Sequence, residues 1–356
     1  MTNTYRWVQW NRHKRTYDAI LIALILAYIA IFVTLGTVLF PPPNDISPPI
    51  LLIRALGTLA IILLTFILCI GPLARMTDLF APFLYNRRHL GVAVFLIALA
   101  HGTLATLFYG GFGSKNPIAA ILADKGGFNS ISAFPFEILG LAALLILFAM
   151  AATSHDFWLA NLGTRTWKTL HMLVYLAYTL VAAHVALGAL QSETNPIYAI
   201  LLIVGVVTVS ALQLIAGLRE WKRDRTGDPV SQTADGWIDI AAVTDLEEGQ
   251  GKVISPPGTE RIALFLHEGS FRAVSSVCAH QGGPIGEGQI VSGCITCPWH
   301  GYQYRPEDGQ SPPPYTEKLP TYAVRVVGER VQINPAPNPP GTPTAAAPRS
   351  GESPDA

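Results

Sequence analysis

Six apolar runs fill most of the chain up to Leu218, and nothing else in the sequence limits the fold as tightly. They are centred on residues 19–40, 50–70, 90–110, 134–153, 169–190 and 196–218. About 20 residues at 1.5 Å rise cross a ~30 Å hydrocarbon core, so each run predicts a membrane helix. The first run follows basic residues, as a secretory signal would. It is too long for a signal core and lacks a small-x-small cleavage site, so it reads as a span.

The cations fall on alternate sides of these spans. One side holds Arg6, Arg12, Lys14 and Arg15, then Arg75, Arg87 and Arg88, then Arg165 and Lys168, then Arg219, Lys222, Arg223 and Arg225. The other side holds Lys115 and Lys125, with Arg54 near a helix end. Positive residues stay on the cytoplasmic side, so both termini are expected there, as in a bacterial inner-membrane protein. Over the 356-residue chain, 24 basic residues balance 24 acidic ones. That gives no general attraction for nucleic acid.

Polar groups at membrane depth are costly and mark function. The spans contain His101, His171 and His184. A membrane histidine can serve only as a hydrogen-bond donor between helices. Three of them on two helices favour ligation, and imidazole suits iron held in a bundle core. Counted from Arg88 and Lys168, His101 lies about 20 Å into its helix, His184 about 24 Å and His171 about 5 Å. His101 and His184 therefore predict one b haem gripped from two sides, nearer the outer face. His171 and His184 point about 140° apart on an ideal helix. Either the fifth helix is distorted or only one of them faces the third. A second haem at His171 needs another ligand, for which His89 is the candidate.

"RRHLGVAVFLIALAHGTLATLFYGG" and "LGTRTWKTLHMLVYLAYTLVAAHVALG" resemble the third and fifth helices of the ferric reductase-like transmembrane family. The second phrase is most similar to haem-binding membrane subunits of bacterial methionine sulfoxide reductase systems. The resemblance covers roughly residues 50–218. It implies electron transfer by b haem, one or two per chain, with His101, His171 and His184 on the ligand positions. At Arg87 the two-haem members carry histidine, so the haem number stays open.

After the spans comes "VCAHQGGPIGEGQIVSGCITCPWHGYQY", Val277 to Tyr304. Three of the chain's four cysteines lie here and Cys69 sits in an apolar run, which argues against a disulfide scaffold. Cys278-x-His280 and Cys297-x-x-His300 are separated by 16 residues. Structural zinc sites generally pair Cys with Cys. Here each pair offers one thiolate and one imidazole, as a Rieske [2Fe–2S] cluster requires. "CAHQGGP" and "CPWHG" are similar to the Rieske signature. Respiratory members add a cysteine to each loop, where Gly283 and Trp299 stand here, and a serine where Tyr302 stands. The loop thus looks like the ferredoxin-type Rieske domain of oxygenase systems, with fewer hydrogen bonds to the cluster and a lower potential. Cys294 reads as a half-buried strand thiol.

The expected organisation is multi-domain. A cytoplasmic segment (1–17) leads into a six-helix transmembrane α bundle (18–218). A linker (219–235) leads to a small all-β Rieske domain (236–336) and a disordered Pro/Ala/Ser-rich tail (337–356). Strands are expected in "GWIDIAAV", "RIALFLHEG", "FRAVSSV" and "YAVRVVGERVQI". No dinucleotide fingerprint, 2-His-1-carboxylate iron site or catalytic side chain is visible. The expected function is a membrane oxidoreductase. It passes single electrons between the cluster and haem, from or to a cytoplasmic protein partner and an outer-face or quinone partner. The loop 110–130 is a candidate outer docking site. The alternative is a non-catalytic membrane anchor or redox-sensing subunit of a larger complex.

Overall fold

A helix spanning lipid satisfies all its backbone groups internally, so the apolar runs have no other regular form open to them. The computed structural model describes residues 12–40, 46–80, 83, 86–110, 116–117, 119, 134–154, 158, 162, 164–192, 196–226, 230–256, 259–280, 282–298, 301–313 and 315–350. Two compact units meet in sequence between Leu214 and Ile215.

The first unit is helical. Its elements are α1 (Arg12–Leu39), α2 (Pro48–Ala74), α3 (Arg87–Gly110), α4 (Glu137–Ala152), α5 (Thr164–Met172), α6 (Val174–Leu187) and α7 (Ala189–Ser192). The last helix, α8 (Pro196–Thr226), begins in this unit. Among the described residues, five helical stretches are long and apolar enough to cross a membrane: Arg15–Leu39, Pro48–Ala74, Arg87–Gly110, Thr166–Gln191 and Pro196–Arg219. The fourth expected span is also an apolar helix, but α4 has only 16 residues. Pro135 explains the shortfall, because a proline disfavours helical geometry in the residue before it, here Phe134.

The fifth run is interrupted twice, and at the first turn neither proline nor glycine announces it. Leu173 forms a turn between α5 and α6, and Gly188 forms another between α6 and α7. The first turn falls between His171, on α5, and His184, on α6.

Packing centres on α2, which contacts α1, α3 and α6, while α4 packs against α3 and α6. Leu51, Ala55, Leu68 and Ile70 of α2 are almost fully buried. By contrast Ile22, Leu24 and Leu26 on α1, and Ile200, Leu201 and Ile203 on α8, are more than half exposed. Apolar surface of that extent suits contact with lipid rather than water. The protein is an integral membrane protein.

The second unit is built from short antiparallel strands. One sheet has the order β1 (Ser231–Gln232), β2 (Ile238–Ala242), β11 (Arg330–Ile333), β10 (Val324–Val327). A second runs β12 (Ala347–Pro348), β5 (Ser270–Ser275), β4 (Ile262–His267), β3 (Gly251–Ile254), with β9 (Thr321–Tyr322) also on β5. A third is β6 (Gln289–Val291), β7 (Cys294–Thr296), β8 (Gln303–Tyr304).

Strand β4 shows how the frame carries the metal loops. Successive side chains of a strand face opposite ways. Ile262, Leu264 and Leu266 enter one buried cluster, with Phe271 and Val331. Ala263 and Phe265 enter the other, with Cys278, Cys297, Tyr302 and Tyr304. The four expected strand segments all contain strands, whereas β1, β3, β6 to β8 and β12 lie outside them.

Two expected boundaries change. The segment 219–235 is not a structureless linker, since α8 continues to Thr226 and β1 pairs with β2. The tail from 337 is not disordered over its described part. Residues 337–350 lie along the β unit, where Ala347 pairs with Phe271 and is buried in the first cluster. Thr344 donates its N–H to the Glu307 carbonyl at 2.9 Å. A proline-rich strand needs few apolar residues when its backbone groups find partners. Residues 351–356 lie outside the described ones.

Candidate metal centres

The helical unit brings two of its three candidate histidines together. His101 of α3 and His184 of α6 have ring centres 6.4 Å apart and ring planes at 85°. Two imidazoles that grip one metal through ~2.0–2.1 Å bonds stand about 6 Å apart between ring centres. The Nδ1 of His101 lies 2.9 Å from the Ile53 carbonyl of α2. The Nδ1 of His184 lies 2.9 Å from the Phe136 carbonyl, just ahead of α4. A carbonyl only accepts, so each Nδ1 carries the proton and each Nε2 keeps its lone pair. That is the tautomer a metal-ligating histidine needs, with its other nitrogen fixed by a neighbouring acceptor. The donor set therefore fits a haem iron.

His171 stands elsewhere. Its ring stacks on Trp167 at 3.6 Å and 21°, and its Nδ1 lies 3.0 Å from the Trp167 carbonyl. His89, the candidate partner for a second haem, is 2.8 Å from the Asp18 carboxylate of α1. Arg87 is the first residue of α3. Cys69 is buried in α2.

In the β unit, Cys278, His280 and Cys297 are 2%, 4% and 1% exposed. His300, the fourth expected ligand, lies outside the described residues, as does Trp299. The two loops share one design. Cys278 N–H donates to the Gly283 carbonyl and its carbonyl accepts from Gly282 N–H, at 2.8 and 2.7 Å. Cys297 N–H donates to the Tyr302 carbonyl and its carbonyl accepts from Gly301 N–H, at 2.8 and 2.9 Å. Each loop turns on a left-handed glycine four residues after its cysteine, Gly282 at φ 70° and Gly301 at φ 68°. A side chain there would strain the turn. Two equivalent loops, each offering a buried thiol and carrying a histidine two or three residues on, fit a two-iron cluster with unlike ends. Cys294 stays apart as the half-buried first residue of β7, where burial pushes its thiol up.

Tyr304 is a site residue that reading the sequence missed. Its hydroxyl lies 3.2 Å from Cys278 Sγ and accepts the His280 backbone N–H at 3.2 Å. With Cys278 as a thiolate, the hydroxyl is the donor. Burial and the nearby Cys278 sulfur raise the Tyr304 phenol above its usual range, so it keeps its proton. Tyr302 behaves differently. Its ring stacks on His280 at 4.3 Å and 14°, while its hydroxyl donates to the Glu317 carboxylate.

Two family matches cover most of this architecture. Residues 56–182 match the ferric reductase like transmembrane component, and residues 236–323 match the Rieske [2Fe-2S] domain. The helical half is similar to the protein-methionine-sulfoxide reductase heme-binding subunit MsrQ of Agrobacterium fabrum. Identity there is 32% over 165 residues, covering 46% of this chain and 71% of that protein. The β half is similar to the ferredoxin component of the alkene monooxygenase system of Xanthobacter autotrophicus. Identity is 34% over 104 residues, 29% of this chain and 84% of that one. It is also 35% identical over 99 residues to cholesterol 7-desaturase of Hemicentrotus pulcherrimus, of which this chain spans only 21%.

Proposed function

Because the chain belongs to the ferric reductase-like transmembrane family in its helical half and to the Rieske [2Fe–2S] family in its β half, we propose that it is a membrane electron-transfer oxidoreductase that passes single electrons. A [2Fe–2S] cluster and a b haem supply one-electron chemistry, with no proton or group transfer required of the protein. The observation that carries this reading is the His101–His184 pair, two imidazoles with ring centres 6.4 Å apart on membrane-length helices and both Nδ1 atoms committed to carbonyls.

The chain's own residues do the holding and the tuning. His101 and His184 would hold the haem iron through Nε2. Cys278, Cys297, His280 and His300 would hold the cluster, the two cysteines as thiolates and the two histidines as imidazoles. Tyr304 donates its hydroxyl to the Cys278 sulfur, which stabilises the reduced, more negative state. His171 is a candidate for a second haem. The phenol of Tyr302, the Phe265 ring and the Ile285 and Ile295 side chains pack in the same buried cluster as the two cysteines and keep water from them.

The distribution of basic residues supports a cytoplasmic N-terminus and Rieske domain, in a bacterial inner membrane. The exchange partner of the cluster is then a cytoplasmic electron donor or acceptor protein. The haem partner is a quinone in the bilayer or a redox protein at the outer face. The loop 110–130, offered as a docking site for the latter, lies almost wholly outside the described residues.

Metal and haem analysis of the detergent-purified protein, with a redox titration, tests this reading. A b-type Soret band and a low-g Rieske EPR signal in one preparation are expected. Zinc in place of iron, or an absence of porphyrin, defeats it.

A further inference from the structure

The two membrane histidines are held by the same device, used twice. In each case 48 residues separate the histidine from its carbonyl acceptor. In each case the residue four positions after that carbonyl is glycine: Gly57 after Ile53, and Gly140 after Phe136. A methyl group built on Gly57 would stand 2.9 Å from His101 Cε1 and 3.1 Å from Nδ1. One built on Gly140 would stand 2.8 Å from His184 Nδ1 and 2.9 Å from Cε1. Real side-chain carbons do not approach that closely.

Helix geometry explains the spacing. Side chains lean back toward the N-terminus, so the side chain at one position covers the turn before it. That turn contains the carbonyl four residues earlier, already accepting one backbone N–H. Its second lone pair is free to accept again, provided nothing shields it. The Phe136 carbonyl accepts from Leu139 N–H at 3.1 Å and Gly140 N–H at 3.4 Å, and meets His184 as well. A glycine inside a helix is less stable than alanine. Gly91 and Gly217, by comparison, have open space where a methyl would go.

We propose that Gly57 and Gly140 are positioning residues for the haem-ligand imidazoles: their missing side chains bare the Ile53 and Phe136 carbonyls, which then hold the Nδ1–H of His101 and His184 and set the ring planes. The proposal rests on the haem reading above. A carbonyl that accepts from Nδ1–H makes the imidazole a stronger electron donor to iron. This lowers the haem potential. The rings at 85° to each other give oxidised low-spin haem a widely spread EPR g-tensor.

The test compares Gly57→Ala and Gly140→Ala with Gly91→Ala in the purified full chain. Each of the first two should shift the haem midpoint potential upward and change the spread of the low-spin EPR signal. Gly91→Ala should leave both as in the unaltered protein. Haem with unaltered potential and EPR in both variants, even at reduced yield, overturns the proposal. If neither variant accumulates, electron–nuclear double resonance of the unaltered protein decides. Two strongly bonded, slowly exchanging Nδ1 protons support the arrangement, and rapid exchange in deuterated buffer overturns it. No haem in the unaltered protein would instead defeat the underlying reading.

Discussion

The two halves solve the same problem, fixing soft or borderline metal ligands in space, by opposite means. In the helical unit His101 and His184 come from separate helices, and each is bonded to a backbone carbonyl of another element. In the β unit Cys278 and Cys297 each sit in a short loop, and the backbone itself folds into two matching turns beside a buried strand, β4. A helix has already spent its internal hydrogen bonds, so only an unshielded carbonyl can orient a neighbour's side chain. A loop has unspent amides, and it can use them to shape the ligand's own backbone.

Four outcomes break or sharpen this comparison, from the largest effect to the smallest. His101→Ala or His184→Ala should abolish the b-haem Soret band while the Rieske EPR signal persists, because the two sites lie in different folding units. Retention of full haem by both variants would undo the pairing. Cys297→Ser should do the reverse, removing the Rieske signal and sparing the Soret band; loss of both would mean the units do not fold apart. Removal of residues 337–356 should destabilise the β unit, read as cluster bleaching in urea. Asn338, Gly341, Thr344 and Arg349 each donate a backbone N–H to the β unit. At ~1 kcal/mol per bond the loss is about 3–4 kcal/mol. An inert tail would leave the urea midpoint unchanged. Tyr304→Phe should lower the cluster potential by roughly 40 mV, about 1 kcal/mol for one hydrogen bond on a one-electron couple. An unchanged potential would mean the hydroxyl at 3.2 Å from Cys278 does not donate to the sulfur.

Much of the molecule was legible in its sequence, for identifiable reasons. Membrane helices announce themselves by length alone, and depth arithmetic was enough to pair His101 with His184. The Rieske pairs stood out because four ligating residues at fixed spacing are improbable by accident. Other features were hidden. The tightened turn at Leu173 involves neither proline nor glycine, so nothing local announced it. Strands β6 to β8 are two or three residues long, too short for an alternation to register. Residues 337–350 looked coreless because their contacts are made by backbone groups and by Ala347. Tyr304 lies 26 residues from Cys278, and nothing local in the sequence marks its contact with that sulfur.

The joint at Leu173 has a practical consequence. Leu173 keeps right-handed helical dihedrals and donates its N–H to the Leu170 carbonyl three residues back, so the joint is a single tightened turn. The carbonyls that hold His101 and His184 belong to Ile53 and Phe136, outside residues 164–172, so exchanging that segment with a homologue's would rebuild the neighbourhood of His171 and spare both bonds of the deeper imidazole pair.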